Sequence, residues 1–133
     1  MATQFINPDG MMKSPAFSQV VTTSGNGKTI YIGGQNAVNE KGETIGKGDI
    51  AAQTEQIMKN IGVALEACGA GFKDIIKMNI YITQGQDIRK GFEASQKYLG
   101  SNANPPIVTA LFVSGMGNPD YLLEVEAVAF VNE

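Results

Sequence analysis

The strongest constraint on this fold is a change of hydrophobic period near the middle of the chain. From Asp49 to Gly69 the apolar residues recur at steps of three and four, the spacing of one face of an α-helix. Asp49 is typical of a helix N-cap and Gly69 of a C-terminal cap, so the pattern predicts a helix over 50–68. From Ile75 to Ile82 apolar and polar residues alternate, which predicts a half-buried strand.

The segment before this helix carries a hairpin signal. Residues 17–21 and 29–32 are rich in β-branched and aromatic side chains, and Asn26-Gly27 lies between them. Asn-Gly is typical of a tight turn between two antiparallel strands. The sequence therefore predicts that these two strands pair with each other.

The segment after the strand predicts a second helix and two further strands. Asp87 is expected to cap a helix that runs to Leu99 and stops at Gly100. Strands are expected near 107–113 and 122–131. The resulting order of elements favours an α+β fold with both helices on one face of a single sheet.

The other face of that sheet is expected to be open in a single copy. Strand alternation is taken to place four apolar side chains on it, namely Val108, Phe112, Val128 and Phe130. An exposed patch of this size favours self-association.

Composition limits the class of protein. A chain of 133 residues with 43% hydrophobic content fits one domain, residues 1–133. No stretch is long and apolar enough for a membrane span, and the N-terminus lacks the pattern of a signal peptide. Cys68 is the single cysteine, so no internal disulfide forms. These features predict a cytoplasmic protein without membrane association.

The absence of histidine narrows the chemistry further. Without histidine, triads of the Ser-His-Asp type and ordinary zinc sites are excluded, and no metal site is expected. The formal net charge is −3, and lysine and arginine are scattered singly, so nucleic acid is an unlikely partner.

Several segments in order along the chain resemble the RidA family, also labelled YjgF or endoribonuclease L-PSP. They are Ser18-Gln19, Ile32-Gly33-Gly34-Gln35, Asp49 to Thr54, Lys73 to Lys77, Pro105-Pro106 and Leu123 to Ala129. The resemblance implies a chorismate-mutase-like α+β fold with a mixed sheet. It also implies a homotrimer with an inner β-barrel, and clefts between subunits that take a small-molecule ligand without a cofactor.

The resemblance also identifies site positions and shows that this chain departs from the family at most of them. In the deaminating members, an arginine two residues after the proline that enters the strand holds the carboxylate of a 2-imino acid, and here that position is Val108. Valine offers no donor to a carboxylate. Ala110 stands where the family often has a cysteine.

Three more family positions have lost a hydrogen-bonding group. Phe17 replaces a tyrosine, Gly33 a serine and Phe92 an asparagine. Glu124 keeps the acidic residue that positions the attacking water in active members. Together with Phe112 and Gln35, these residues are expected to form an apolar ligand cleft with few polar groups.

Four functions follow from this pattern. The first is binding of a small metabolite without 2-imino acid deaminase activity. The second is an imine or enamine deaminase, a hydrolase whose substrate is anchored by Lys77, Lys13 or Arg89 instead. The third is the endoribonuclease or translation-inhibitor role of the older family label, and the fourth is a protein-interaction role.

Overall fold

The computed structural model of the chain describes residues 3–100 and 104–133. Its elements are β1 (Thr3–Ile6), β2 (Val20–Thr23), β3 (Gly27–Gln35), α1 (Ile50–Ala67), a 3₁₀ turn (Phe72–Asp74), β4 (Ile75–Thr83), α2 (Ile88–Leu99), β5 (Ile107–Val113) and β6 (Leu123–Asn132). Strands β3 to β6 form a four-stranded sheet in the order β3-β6-β4-β5, and β1 pairs with β2 in a separate ribbon. Only the β4–β5 pair of the large sheet is parallel, so the sheet is mixed.

Helix α1 confirms the prediction from periodicity. The Asp49 carboxylate accepts a hydrogen bond from the Ala52 backbone N–H at 3.1 Å, which is an N-cap. Gly69, with a φ of +73°, follows the end of the helix in the left-handed conformation that glycine favours. Its residues Ile57, Ile61 and Leu65 are fully buried.

Helix α2 also lies where it was predicted, and a tyrosine joins it to α1. The Tyr98 hydroxyl donates to the Glu55 carboxylate at 2.6 Å, and its ring packs on Phe72 with the ring centroids 5.4 Å apart. The hydrogen bond to Glu55 raises the pKa of Tyr98 to about 12. Both helices lie on one face of the mixed sheet, which confirms the predicted α+β fold.

The predicted hairpin is wrong. Strand β2 pairs with β1, whereas β3 pairs with β6 near the C-terminus. A turn signal reports only local geometry, and the pairing with β6 aligns Ile30 and Ile32 with the buried Ala129 and Ala127. The four-residue β1 is too short to be recognised from alternation, so the true partner of β2 was missed.

The predicted composition of the open sheet face is wrong in part. Val108 and Phe112 are in register with the buried Met78 and Ile82, so they lie on the face that the helices cover. Val128 lies on the open face as predicted, in register with Lys77 and Tyr31, whereas Phe130 is only 8% exposed.

The open face instead exposes two other apolar side chains. Tyr31 is 79% exposed and Leu111 is 50% exposed. Strand β5 is an edge of the sheet, so among the described residues no further strand pairs with its outer side. Within the described residues, no helix is long and apolar enough to cross a membrane.

Candidate functional site

A cavity of about 300 Å³ lies between α2 and the helix side of the sheet. The first turns of α1 close one side, and the segments 15–17 and 105–106 close another. Strands β4, β5 and β6 contribute the floor through side chains that alternate onto this face. The volume is at the small end of the range for ligand pockets.

Four residues predicted for the site meet in this cavity: Phe17 from the segment before β2, Phe92 from α2, and Val108 and Ala110 from β5. Phe92 and Ala110 are exposed, so the cavity opens to solvent between α2 and β5. Phe112 shares their face of β5 but lies beyond the cavity lining and is 52% exposed.

The cavity also contains polar groups that the sequence analysis did not single out. Thr54 of α1 and Ser95 and Gln96 of α2 line it. A signal for Ser95 was available, since Ile88, Gly91, Phe92, Ser95 and Leu99 follow the spacing of one helix face. Phe92 of this stripe was predicted for the site, whereas Ser95 was not.

The two hydroxyl groups of the cavity lining, those of Thr54 and Ser95, each donate their proton to a backbone carbonyl. Thr54 Oγ1 donates to the Ile50 carbonyl at 2.7 Å, and Ser95 Oγ donates to the Phe92 carbonyl at 2.7 Å. Neither hydroxyl group therefore keeps a proton to donate, and each oxygen can act only as an acceptor.

None of the described residues that line the cavity is charged. The wall next to β5 is formed by Pro105 and Pro106, which have no backbone N–H to donate. Ser18 donates a hydrogen bond to each proline carbonyl. Its hydroxyl lies 2.6 Å from the Pro105 oxygen, and its backbone N–H lies 3.0 Å from the Pro106 oxygen. An anionic group in this cavity would meet one side-chain amide, that of Gln96, and no positive charge.

Three predicted site residues lie away from the cavity. Leu123 and Val125 of β6 line it, so Glu124 between them points to the opposite face of the sheet. The Glu124 carboxylate lies against Gly34, where an added methyl group would collide with it. Gly33 is exposed, and Gln35 Nε2 donates to its carbonyl at 3.1 Å. Within one chain, the sheet separates Glu124 from Val108.

A hydrogen-bonded polar cluster adjoins Glu124 on that opposite face. The Tyr81 hydroxyl donates to Glu126 Oε1 at 2.7 Å, and Asn79 Nδ2 donates to the same oxygen at 3.3 Å. Tyr81 is in register with Glu124. The hydrogen bond from Tyr81, and then that from Asn79, lowers the pKa of Glu126, and the same bond to Glu126 raises the pKa of Tyr81.

The cavity and the opposite face of the sheet differ in the chemical groups that they present. The cavity offers an apolar lining with two hydroxyl groups and one side-chain amide, whereas the opposite face offers carboxylates, a phenol and an amide. In the described ranges 3–100 and 104–133, no group of three or more Asp, Glu or Cys side chains is placed to hold a metal ion.

Known proteins resemble this chain over most of its length. Residues 11–131 match the family described as Endoribonuclease L-PSP. A RutC family protein of Pyrococcus horikoshii is 36% identical over 104 residues, which span 78% of this chain and 80% of that protein. A human 2-iminobutanoate/2-iminopropanoate deaminase is 29% identical over 113 residues, which span 85% of this chain and 78% of the human protein.

A solved structure has the same fold as this chain. The crystal structure of a Rid family protein of unknown function from Yersinia pestis superimposes with a TM-score of 0.85 at 29% identity. The match covers 98% of this chain and 100% of the other. The family expected from the motifs is thereby confirmed: the chain belongs to the RidA (YjgF, endoribonuclease L-PSP) family.

Proposed function

We propose that this chain binds a small metabolite in the cavity beside Val108 and does not deaminate 2-imino acids. The observation that carries the proposal is the absence of any charged side chain among the described residues of the cavity lining. A 2-imino acid carries a carboxylate, and hydrolysis of its imine requires that the substrate be anchored. A valine, an alanine and two phenylalanines offer no bond to that carboxylate.

The separation of the cavity from Glu124 bears on the quaternary structure. Glu124 reaches a cleft that contains Val108 only if it comes from a second copy, because the sheet lies between them within one chain. We propose a homotrimer in which the open face and the β5 edge are covered by neighbouring copies. The exposed Tyr31 and Leu111 support this arrangement, and a sedimentation mass of one or two chains would contradict it.

A second candidate is a deaminase with a different substrate anchor. Of the three cations considered for this role, Lys13 pairs with Asp9 at 3.1 Å and Arg89 with Asp87 at 3.5 Å. Lys77 lies on the same face of the sheet as Glu126 and Glu124, where its charge contributes to the lowered pKa of Glu126. Lys77 is therefore the cation that favours this alternative, and loss of ammonia release in Lys77→Met would support it.

The proposed function is tested by ammonia release from freshly generated 2-iminobutanoate. The native chain is expected to give the rate of buffer alone. Val108→Arg places a guanidinium in the cavity and is expected to raise the rate above that background. Thr109→Arg is the matched control, since it adds the same charge to the next residue of β5 on the opposite face.

Two results would contradict the proposal. Ammonia release by the native chain above background would show that a carboxylate is anchored elsewhere. Equal gains in Val108→Arg and Thr109→Arg would show that added charge, rather than its place in the cavity, produces the activity.

A further inference from the structure

We infer that Asn26 is a site of spontaneous covalent modification, at which the backbone nitrogen of Gly27 displaces the side-chain amide and the residue becomes isoaspartate. The structure places this Asn-Gly pair at the start of β3 rather than in the hairpin turn that its sequence indicated. Neither residue lines the cavity, so the inference is independent of the proposed function. It follows from the free side chain of Asn26, the direction of the Gly27 N–H and the absence of a side chain on Gly27.

The side chain of Asn26 is exposed and free to turn toward its own backbone. Among the residues that the structure describes, none forms a hydrogen bond with its amide. Asn39 provides the contrast within the same chain. Its side-chain oxygen accepts from the backbone N–H groups of Lys41 and Glu43, and its amide donates to the Glu43 carboxylate, each at 3.0 Å. The amide of Asn39 is therefore held in place, and that of Asn26 is not.

The register of β3 against β6 shows where the Gly27 N–H points. The Glu133 N–H donates to the Asn26 carbonyl at 3.4 Å, and Gly27 lies opposite Asn132. In an antiparallel ladder this bond makes Gly27 and Asn132 a non-hydrogen-bonded pair, whose own backbone groups point away from each other. β3 is an edge of the sheet, and within residues 3–100 and 104–133 no further strand pairs with its outer side. The nitrogen of Gly27 is therefore outside the ladder.

The lack of a side chain on Gly27 leaves that nitrogen open to approach. The position also requires glycine, since a Cβ there would collide with the ring of Phe130. Asn26 is the only asparagine of the sequence that precedes a glycine. Three of the others precede proline, which has no backbone N–H to lose, namely Asn7, Asn104 and Asn118.

The reaction needs only water. The Gly27 nitrogen loses its proton to solvent and attacks Cγ of Asn26. The new N–C bond closes a five-membered succinimide, the bond from Cγ to the amide nitrogen breaks, and ammonia leaves. Water then adds to one of the two ring carbonyls and opens the ring. Opening at one carbonyl gives aspartate, and opening at the other gives isoaspartate, in which the main chain runs through Cγ.

Isoaspartate at this position is expected to open the end of the β3–β6 ladder. The former backbone carbonyl of Asn26, which accepts from the Glu133 N–H, becomes a free carboxylate. The main chain gains one methylene group before Gly27, which shifts the register with Asn132. The added negative charge also lies close to that of the Glu133 side chain. Loss of one ladder hydrogen bond is expected to lower the melting temperature by about 3 °C.

The site is tested by incubating the folded chain at mildly alkaline pH. Peptide mapping by mass spectrometry measures loss of each amide, and methyl transfer by an isoaspartate methyltransferase measures isoaspartate. Loss is expected at Asn26 before it is detectable at any other asparagine, and its rate is expected to rise with pH because the nitrogen must lose a proton. Asn26→Gln, which would have to close a six-membered ring, is expected to abolish the methyl transfer.

Glu40→Gly is the matched control, since it creates a second Asn-Gly pair at Asn39, whose side chain is hydrogen-bonded. In the folded variant Asn39 is expected to lose its amide more slowly than Asn26. In concentrated urea the two asparagines are expected to react at similar rates, because the hydrogen bonds of Asn39 and the ladder at Gly27 are both absent.

Three results would contradict the inference. Retention of the Asn26 amide in the folded chain, under conditions in which the chain in urea loses it, would overturn the site. Equal rates at Asn26 and Asn39 in folded Glu40→Gly would show that the residue pair alone, rather than its place at the sheet edge, sets the reaction. An unchanged melting temperature of the purified isoaspartate form would overturn the opening of the ladder.

Discussion

Ile80 and Tyr81 are consecutive residues of β4, yet their side chains enter surroundings of opposite chemistry. Ile80 lines the apolar cavity on the helix side. Tyr81 donates a hydrogen bond to Glu126 on the other side. The same contrast recurs on β6, where Val125 lines the cavity and the glutamates on either side of it point away. Consecutive residues of one strand thus contribute to an apolar cavity on one face and to a polar cluster on the other.

The contrast follows from the alternation of side chains along each strand. The carboxylate of Glu124 is one residue along the strand from the cavity lining, but it is inaccessible from the cavity within the same chain. Val108 places an apolar side chain on the helix side, and the polar cluster of Tyr81, Asn79 and Glu126 lies on the other face.

The largest expected loss of stability comes from a substitution of Gln53. It tests whether a buried polar side chain on the helix side is tolerated only when its hydrogen bonds are made. Gln53 is fully buried, and its amide donates to the Asp120 carbonyl at 2.9 Å and accepts from the Leu122 N–H at 2.9 Å. The same amide also donates to the Gly46 carbonyl at 3.2 Å. Gln53→Leu removes all three bonds and is expected to cost about 3 kcal/mol of unfolding free energy in urea.

Gln56→Leu is the matched control on the same helix, since Gln56 is half-buried and makes one side-chain bond, to Asn60. Its expected loss is below about 1 kcal/mol. Equal losses in the two variants would contradict the special role of the buried amide.

A smaller effect is expected from exchanging polarity across β4. Ile80→Asn introduces an amide into the apolar cavity and is expected to cost about 2 kcal/mol. Tyr81→Phe removes a hydrogen bond that water can replace on the other face, so its loss should be clearly the smaller of the two. Thermal unfolding of both variants measures the difference, and a greater loss in Tyr81→Phe would show that the polar face is the more stabilising.

The smallest effect concerns pH. Hydrogen bonds from Tyr81 and Asn79 hold the pKa of Glu126 below its ordinary value, so its ionised form stabilises the folded chain. That stabilisation is complete above the ordinary carboxyl pKa and is lost as the pH falls through the lowered value. Glu126→Gln removes it, so the stability difference between native and variant chains should shrink from neutral to acid pH.

Urea unfolding at a series of pH values checks this, with the exposed Glu40→Gln as control. A difference for Glu126→Gln that stays constant down the acid range would mean that the hydrogen bonds do not favour the charged carboxylate.

Much of the fold was predictable because its signals are local. The cap at Asp49, the helical spacing of α1 and the alternation of β4 each depend on neighbours within a few residues. The partner of β3 was not predictable in this way, because it lies about a hundred residues away in β6 and the local Asn26-Gly27 turn indicated the wrong strand. The face of Val108 depends on its register with Met78, which alternation within β5 alone cannot supply.

The candidate site was predictable in part for the same reason. Family resemblance and alternation brought Phe17, Phe92, Val108 and Ala110 together in the expected apolar surroundings. Thr54 was missed as a lining residue because its position depends on the contact between α1 and Gly91 of α2. That contact joins two helices, and neither helix alone indicates it.

The central claim, that the cavity accepts an uncharged ligand and excludes a carboxylate, is tested most directly by one pair of affinities. Indole-3-acetamide and indole-3-acetate share a ring and differ in the charge of one group. Titration calorimetry at neutral pH is predicted to show binding of the amide and none of the carboxylate at the same concentration. Tighter binding of the carboxylate would contradict the claim, because it would require a positive charge that the cavity lining does not contain.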